Sequence, residues 1–253
     1  MNKNEFEPSS EADRPGVVVV GGGTGNIGEG IVRAGLKSGA TVVVPSRSQT
    51  RLDALQRYVT DAGIDATRLE LVRTDIGTFD GARDFVESVA SKHGRIDLSV
   101  ASLGGWWSGP PLLHTEDSAW KSVMANNLDA HYYFARHAVP IVSRTGGAHI
   151  LIGGPGNLLP NPRSTLITIA GHAQLALSQL LDAEAKPLGG RVYQLFVANI
   201  FDRQRGRQHD DGNERPDVIT PDQIGSKVVE LHHQRPEPTV HKLFATAVPG
   251  FPL

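Results

Sequence analysis

The run Gly21-Gly22-Gly23-Thr24-Gly25-Asn26-Ile27-Gly28 directly follows the apolar stretch Val17-Val18-Val19-Val20. Gly22, Gly25 and Gly28 stand three apart. One glycine lets the chain reverse, one without a Cβ lets backbone approach a pyrophosphate, and one lets helix and strand pack closely. A helix that opens here points backbone N–H groups at the phosphates. In a strand–loop–helix setting the pattern predicts a dinucleotide site contacted by Gly22, Thr24, Gly25, Asn26, Ile27 and Gly28. A site for NAD(H) usually places an acid about 20 residues further on, to hold the ribose 2′-hydroxyl. That region here reads Val44-Pro45-Ser46-Arg47-Ser48 and has no acid. Arg47 can grip a 2′-phosphate bidentately and Ser46 can donate a hydroxyl, so NADP(H) is expected over NAD(H). The bland alternative makes Arg47 the solvated start of the next helix.

Other chemistry-bearing residues are scattered. Ser102, His114 and the adjacent Trp106-Trp107 follow a predicted strand over 96–101. Ser102, Trp106 and Trp107 are substrate candidates: the indoles can stack on a flat molecule, or serve as a lid or subunit contact. Gly153, Gly154 and Gly156 can offer backbone N–H groups to a substrate oxygen. His172 is a candidate proton donor, with a half-buried helix histidine as the alternative. Thr168 and Ser164 are weak acids that need a partner. His232 and His233 are neighbours, so they face different sides of a helix, and no metal site is expected.

The elements that position these residues follow from the apolar pattern. Short runs over 17–20, 41–44, 69–72, 96–101, 149–152, 192–197 and 239–244 predict strands. Stretches over 29–38, 49–61, 79–92, 117–144, 163–185 and 221–232 predict helices. Strands alternating with helices predict an α/β fold: one doubly wound, Rossmann-type parallel sheet of about seven strands with helices on both faces. Residues 1–15 are polar and predict a flexible arm before a single domain over 16–253. Residues 202–217 are dense in charge and predict a mobile loop on the ligand side of the sheet.

The chain has 253 residues, enough for one sizeable core. Its formal net charge of −2 gives no case for nucleic acid or an anionic membrane. It has no cysteine, which excludes disulfides, thiolate metal sites and a cysteine nucleophile. No apolar run approaches membrane-spanning length, and the expected location is the cytoplasm.

From the glycine loop onward the chain resembles the short-chain dehydrogenase/reductase family, roughly over residues 17–244. The loop matches the opening motif, with the three-apart spacing of the extended and atypical branches. Asp75, with Ile76 beside it, resembles the adenine-contacting position after the third strand. Ala101-Ser102-Leu103-Gly104 stands where the family has Asn-Asn-Ala-Gly, so Gly104 is retained. Trp120 followed by Asn127-Leu128 resembles the family's helix, and Asn127 falls on its catalytic asparagine. In the same register the catalytic serine, tyrosine and lysine become Gly154, Ile167 and Gly171. The Pro-Gly after the sixth strand becomes Val197-Ala198.

Lysine one helical turn from tyrosine favours the phenolate and lets it exchange a proton near neutral pH. Ile167, Gly171 and Gly154 can do none of this. Tyr132 and Arg136 have a helical spacing but lie on the preceding helix. Three readings follow. An atypical NADP(H)-dependent reductase would move a hydride to an activated carbonyl, quinone or enone. A silent protein would bind NADP(H), or no cofactor, and act as a sensor or regulatory partner. A non-redox enzyme would reuse the substrate pocket. The resemblance also implies a homodimer or homotetramer built on the helices over 117–144 and 163–185.

Overall fold

The computed structural model describes residues 16–154, 156, 159, 162–198, 200 and 218–245. The arm over 1–15 and the loop over 202–217 lie outside the described residues. The elements run β1 (Val17–Gly21), α1 (Asn26–Lys37), β2 (Thr41–Ser46), α2 (Gln49–Asp61), β3 (Leu69–Arg73), α3 (Phe79–His93) and β4 (Leu98–Ala101). They continue with α4 (Asp117–Met124), α5 (Ala130–Arg144), β5 (Ala148–Gly153), α6 (Thr165–Ala185), β6 (Arg191–Ala198), α7 (Pro221–Gln234) and β7 (Val240–Phe244).

The seven strands form one sheet in the order β3-β2-β1-β4-β5-β6-β7. Every pairing is parallel. The chain winds outward from β1 through β2 to β3, then returns beside β1 with β4 and winds the other way. Between β1 and β4 lies the switch point, where open α/β sheets bind ligands at the carboxyl ends of their strands.

Strand alternation divides the core into two layers. Val18, Val20, Val42, Val44, Val100 and Ile150 face α1, α2 and α7, while Val17, Val19 and Val43 face Phe85 and Phe134 on α3 and α5. Helix α7 lies against α1 at a glycine crossing, since a Cβ on Gly225 would fall 2.3 Å from Gly30 O. No helix among the described residues is long and apolar enough to cross a membrane.

Three details depart from the sequence expectation, the first being that α1 opens at Asn26 rather than at 29. The helix over 117–144 is split by a π-helical turn, Ala125–Asp129, between α4 and α5. The strand over 96–101 begins only at Leu98, because Asp97 is used before it: its Oδ2 accepts from the Val17 N–H at 2.8 Å, and Arg95 bonds the same carboxylate.

Candidate cofactor and substrate clefts

The loops at the carboxyl ends of β1 to β4 enclose an open cleft of about 610 Å³. Gly22 makes the turn at the end of β1. Its φ is +77° and a Cβ there would fall 2.0 Å from Ser102 O, so both backbone angle and space require glycine. The Gly25 N–H bonds back to Gly22 O at 2.9 Å. Gly25 then caps α1 with no side-chain hydrogen bond, which leaves the positive end of the helix facing the cleft. Gly28 lines neither cleft; a Cβ on it would lie 2.1 Å from Gly22 O, so it serves the packing of the loop.

At the far end of this cleft stand Ser46, Arg47, Ser48 and Arg51. Ser48 caps α2 by accepting from the Arg51 N–H at 3.3 Å, and that cap sets both arginines around the helix start. Arg47 reaches Asp75 at only 3.9 Å, with both side chains well exposed. Such a pair contributes about 0–1 kcal/mol and yields readily to a stronger anion. Asp75 Oδ1 accepts from the Gly77 N–H at 2.9 Å, so this carboxylate is oriented by its own turn. Thr24, Ile76 and Gly104 complete the expected contacts that line this cleft.

A second cleft of about 560 Å³ opens beyond the first, against the ends of β5 and β6. The two share Gly25, Asn127 and the 102–106 loop. Asn26 and Ile27 line this second cleft, together with Gly154, Ile167 and Gln174. Among the described residues, no ionisable side chain lines it. Ile167 is 5% exposed and packs with Val123 and Leu166, with Trp107 against the same cluster. Gly171 is buried and lines neither cleft.

The wall between the clefts is clamped from one helical stretch. Asn127 Oδ1 accepts from the Gly105 N–H at 3.0 Å, and its amide donates to Val123 O at 3.1 Å. Four residues on, His131 Nε2 donates to Leu103 O at 3.3 Å. Gly104, between these two anchors, has a φ of +82°. From α6, Gln174 Nε2 donates to Asn127 O and ties the π-helical turn to the second cleft. Behind the clamp, Ser99 Oγ meets His149 Nδ1 at 2.7 Å across adjacent strands, with Phe134 edge-on to the imidazole. Burial pushes His131 down to about 4 and His149 to about 3, so both rings are neutral at physiological pH.

The two tryptophans part company. Trp106 is 58% exposed, lines both clefts and lies over Gly156, where a Cβ would sit 2.7 Å from its ring. Trp107 lines the first cleft but packs over Gly109 and into the Val123 cluster. Ser102 lines both clefts. The proton-donor expectation for His172 finds no support in its placement. Its ring is exposed, donates from Nδ1 to Thr168 O at 2.9 Å, and lines neither cleft. His172 follows buried Gly171, and one residue turns a helix by about 100°, which carries this ring away from the site.

Sequence reasoning passed over Arg51, Gln174 and His131. Arg51 had a usable signal, since it stands in the first turn of the helix expected over 49–61, next to the Ser46-Arg47 region. Gln174 and His131 act across the fold, and nothing local marks them.

The family model for short chain dehydrogenase matches residues 16–198. Among curated relatives, the 3beta-hydroxysteroid dehydrogenase of Mediterraneibacter gnavus is 24% identical over 163 residues, 64% of this chain and 58% of that protein. L-fucose dehydrogenase of Bos taurus is 29% identical over 190 residues, 73% of this chain and 66% of that one. The chain thus spans less than two thirds of the length of these relatives. A metagenomic short-chain oxidoreductase solved in complex with NADP is 25% identical with a TM-score of 0.74, covering 92% of this chain and 97% of that one. An alcohol dehydrogenase from the archaeon Thermococcus sibiricus, complexed with 5-hydroxy-NADP, has a TM-score of 0.74 at 20% identity, covering 90% and 94%. With the switch-point cleft, the glycine turn and a family match over more than half its length, this chain belongs to the short-chain dehydrogenase family.

Proposed function

We propose that this chain is an NADP(H)-dependent oxidoreductase that reduces an already activated acceptor without a tyrosine–lysine pair. Activated carbonyls, quinones and enones belong to that class. The observation that carries the reading is the junction of two unlike clefts. One has an uncapped helix start and two arginines; the other is uncharged along its described wall.

The first cleft fits a dinucleotide. A Cβ on Gly25 would lie 3.2 Å from Gly22 O and meet nothing else within 4 Å, so this position presents bare backbone on the cleft side. The start of α1 would hold the pyrophosphate. Ser46, Arg47 and Arg51 would hold a 2′-phosphate, with Asp75 and Ile76 beside the adenine. The clamped Leu103–Gly105 wall would border the nicotinamide end. When bound, the reduced cofactor supplies a hydride. The NADP seen in the metagenomic oxidoreductase supports the phosphate assignment.

In the family register Gly154, Ile167 and Gly171 replace serine, tyrosine and lysine. Ile167 closes the cleft floor with an apolar side chain and moves no proton. Asn127 and Gln174 hold backbone in place. A proton needed by the product then comes from water, which suits acceptors whose reduced form tolerates a negative charge.

Titration with NADPH and NADH, followed by tryptophan fluorescence, tests the cofactor half. Replacing Arg47 and Arg51 with alanine should weaken NADPH about 10- to 100-fold and NADH by less than about twofold. Equal losses for both would sink the assignment. A second reading, a silent NADP(H)-binding protein, draws on the same uncharged wall; tight NADPH binding with no turnover of any activated acceptor, neutral or cationic, would select it. We propose in addition a homodimer or homotetramer, for which exposed Phe79 and Tyr132 beside Tyr133 offer an aromatic face. Light scattering at the 27.1 kDa chain mass would remove it.

A further inference from the structure

We infer that the second cleft takes a flat organic cation whose charge resides in a C=N⁺ bond, such as a cyclic iminium. The reduction of that cation rests on the reductase reading; its binding does not.

The argument begins with the wall. Ile27, Leu103, Ile152, Ile167, Val197 and Ile200 make it apolar. Its two described amides with assigned bonds are turned to backbone: the Asn127 amide donates to Val123 O, and Gln174 donates to Asn127 O. Ser102 is the one side-chain hydroxyl among the described residues of the wall, and no lysine, arginine or histidine is among them. Trp106 presents an indole that is 58% exposed at the mouth shared with the first cleft. An indole face attracts a cation by about 0.5–2 kcal/mol, more as water is removed.

Charge then separates the acceptor classes. Hydride added to a neutral carbonyl leaves a negative oxygen, which needs donors about 3 Å away and finally a proton. Two of the side-chain amides of this wall, those of Asn127 and Gln174, are spent on backbone carbonyls. Hydride added to an iminium needs neither. A C–H bond forms at the iminium carbon, the C=N π bond breaks and its electron pair settles on nitrogen. The product is a neutral amine. The two electrons come from a dihydronicotinamide, which ends as the nicotinamide cation, so one positive charge changes place and no proton is taken up. A low-dielectric cleft tolerates relocating a charge far better than creating a pair of them. The first cleft carries Arg47 and Arg51 against the single carboxylate of Asp75, a net positive lining that disfavours the same cation.

The test uses the whole chain and calorimetric titration of N-methyldihydroisoquinolinium against methyldihydronaphthalene, its neutral carbon isostere. The cation should bind about two- to fivefold tighter. Trp106→Leu should remove most of that preference, and Trp106→Phe should retain it. An isostere that binds as tightly as the cation, or a preference untouched by Trp106→Leu, overturns the inference. With NADPH present, reduction of the cation should keep a flat rate from about pH 6 to 9, since no protein acid takes part. A chain that reduces a quinone with NADPH yet shows no cation preference overturns the inference and leaves the reductase standing. A Trp106-dependent cation preference without NADPH binding upholds the cation site and removes the reductase.

Discussion

The two clefts meet at one loop and are built on different principles. The first is made from backbone that must come close: Gly22 has no room for a side chain, and an uncapped helix start supplies the field. Its charges stand at the rim on exposed, weakly engaged side chains. The second is made from buried side chains of α6, β5 and β6, and its polar groups brace the fold. A site of the first kind recognises a fixed ligand through geometry that tolerates little change. A site of the second kind sets its ligand range by shape and lack of charge, and its wall can be altered without disturbing the turn beside it.

Acid should break both halves together and by the largest amount. His131, His149 and His232 have folded values near about 4, about 3 and about 4, against 6.5 for an unperturbed ring. Desolvation by burial is the main cause for each. Well above pH 6.5 all three are neutral whether folded or unfolded. Below it the unfolded chain takes up protons that the fold refuses, at up to about 1.4 kcal/mol per pH unit for each ring. Between pH 7 and 5 the loss should be on the order of 4–6 kcal/mol, read as a falling urea midpoint. A midpoint that stays put would show that the rings accept protons inside the fold.

Two alanine substitutions should separate backbone packing from ligand approach within the first cleft. Gly22→Ala forces a Cβ onto Ser102 O at positive φ and should cost about 3 kcal/mol or more. Gly25→Ala meets only Gly22 O, at a tight 3.2 Å and without a positive φ, so it should cost far less stability than Gly22→Ala, about 1 kcal/mol or below. NADPH affinity should still fall about tenfold, because the new methyl stands where the pyrophosphate approaches. Normal NADPH binding by the Gly25 variant would move the phosphates elsewhere.

The shared wall predicts a coupled, smaller effect. His131→Phe keeps ring bulk and deletes the donor to Leu103 O, so NADPH and the second-cleft ligand should both weaken about fivefold. Loss confined to one ligand would mean that the clefts do not share this support. His172→Ala should be the smallest change, less than about twofold in any binding or rate constant, because the ring is exposed outside both clefts.

The sheet was legible because its central strands are buried on both faces and therefore written in continuous β-branched residues, as at Val17–Gly21. The glycine turn was legible because steric need leaves one residue type. The π-helical turn at Ala125–Asp129 was not, since a shift of hydrogen-bond partner leaves no trace in apolar periodicity. Nor was the parting of Trp106 from Trp107, which is decided by Gly156 and Gly109, residues distant or unremarkable in the sequence. Arg51 was within reach as a cation in the first turn of the helix that follows Arg47. Gln174 was not, because its partner lies 47 positions away.

The isolated parallel bridge between Ile200 and Ile219 pins together the two ends of the intervening sequence, and Ile200 lines the second cleft. For a flexible loop closed by a bridge, each doubling of length costs only about 0.6 kcal/mol. Segments of different length and chemistry can therefore be exchanged at this bridge while the glycine turn and the α1–α7 crossing stay as they are. The bridge thus marks one place beside the second cleft where chain length can vary at little entropic cost while the glycine turn stays fixed.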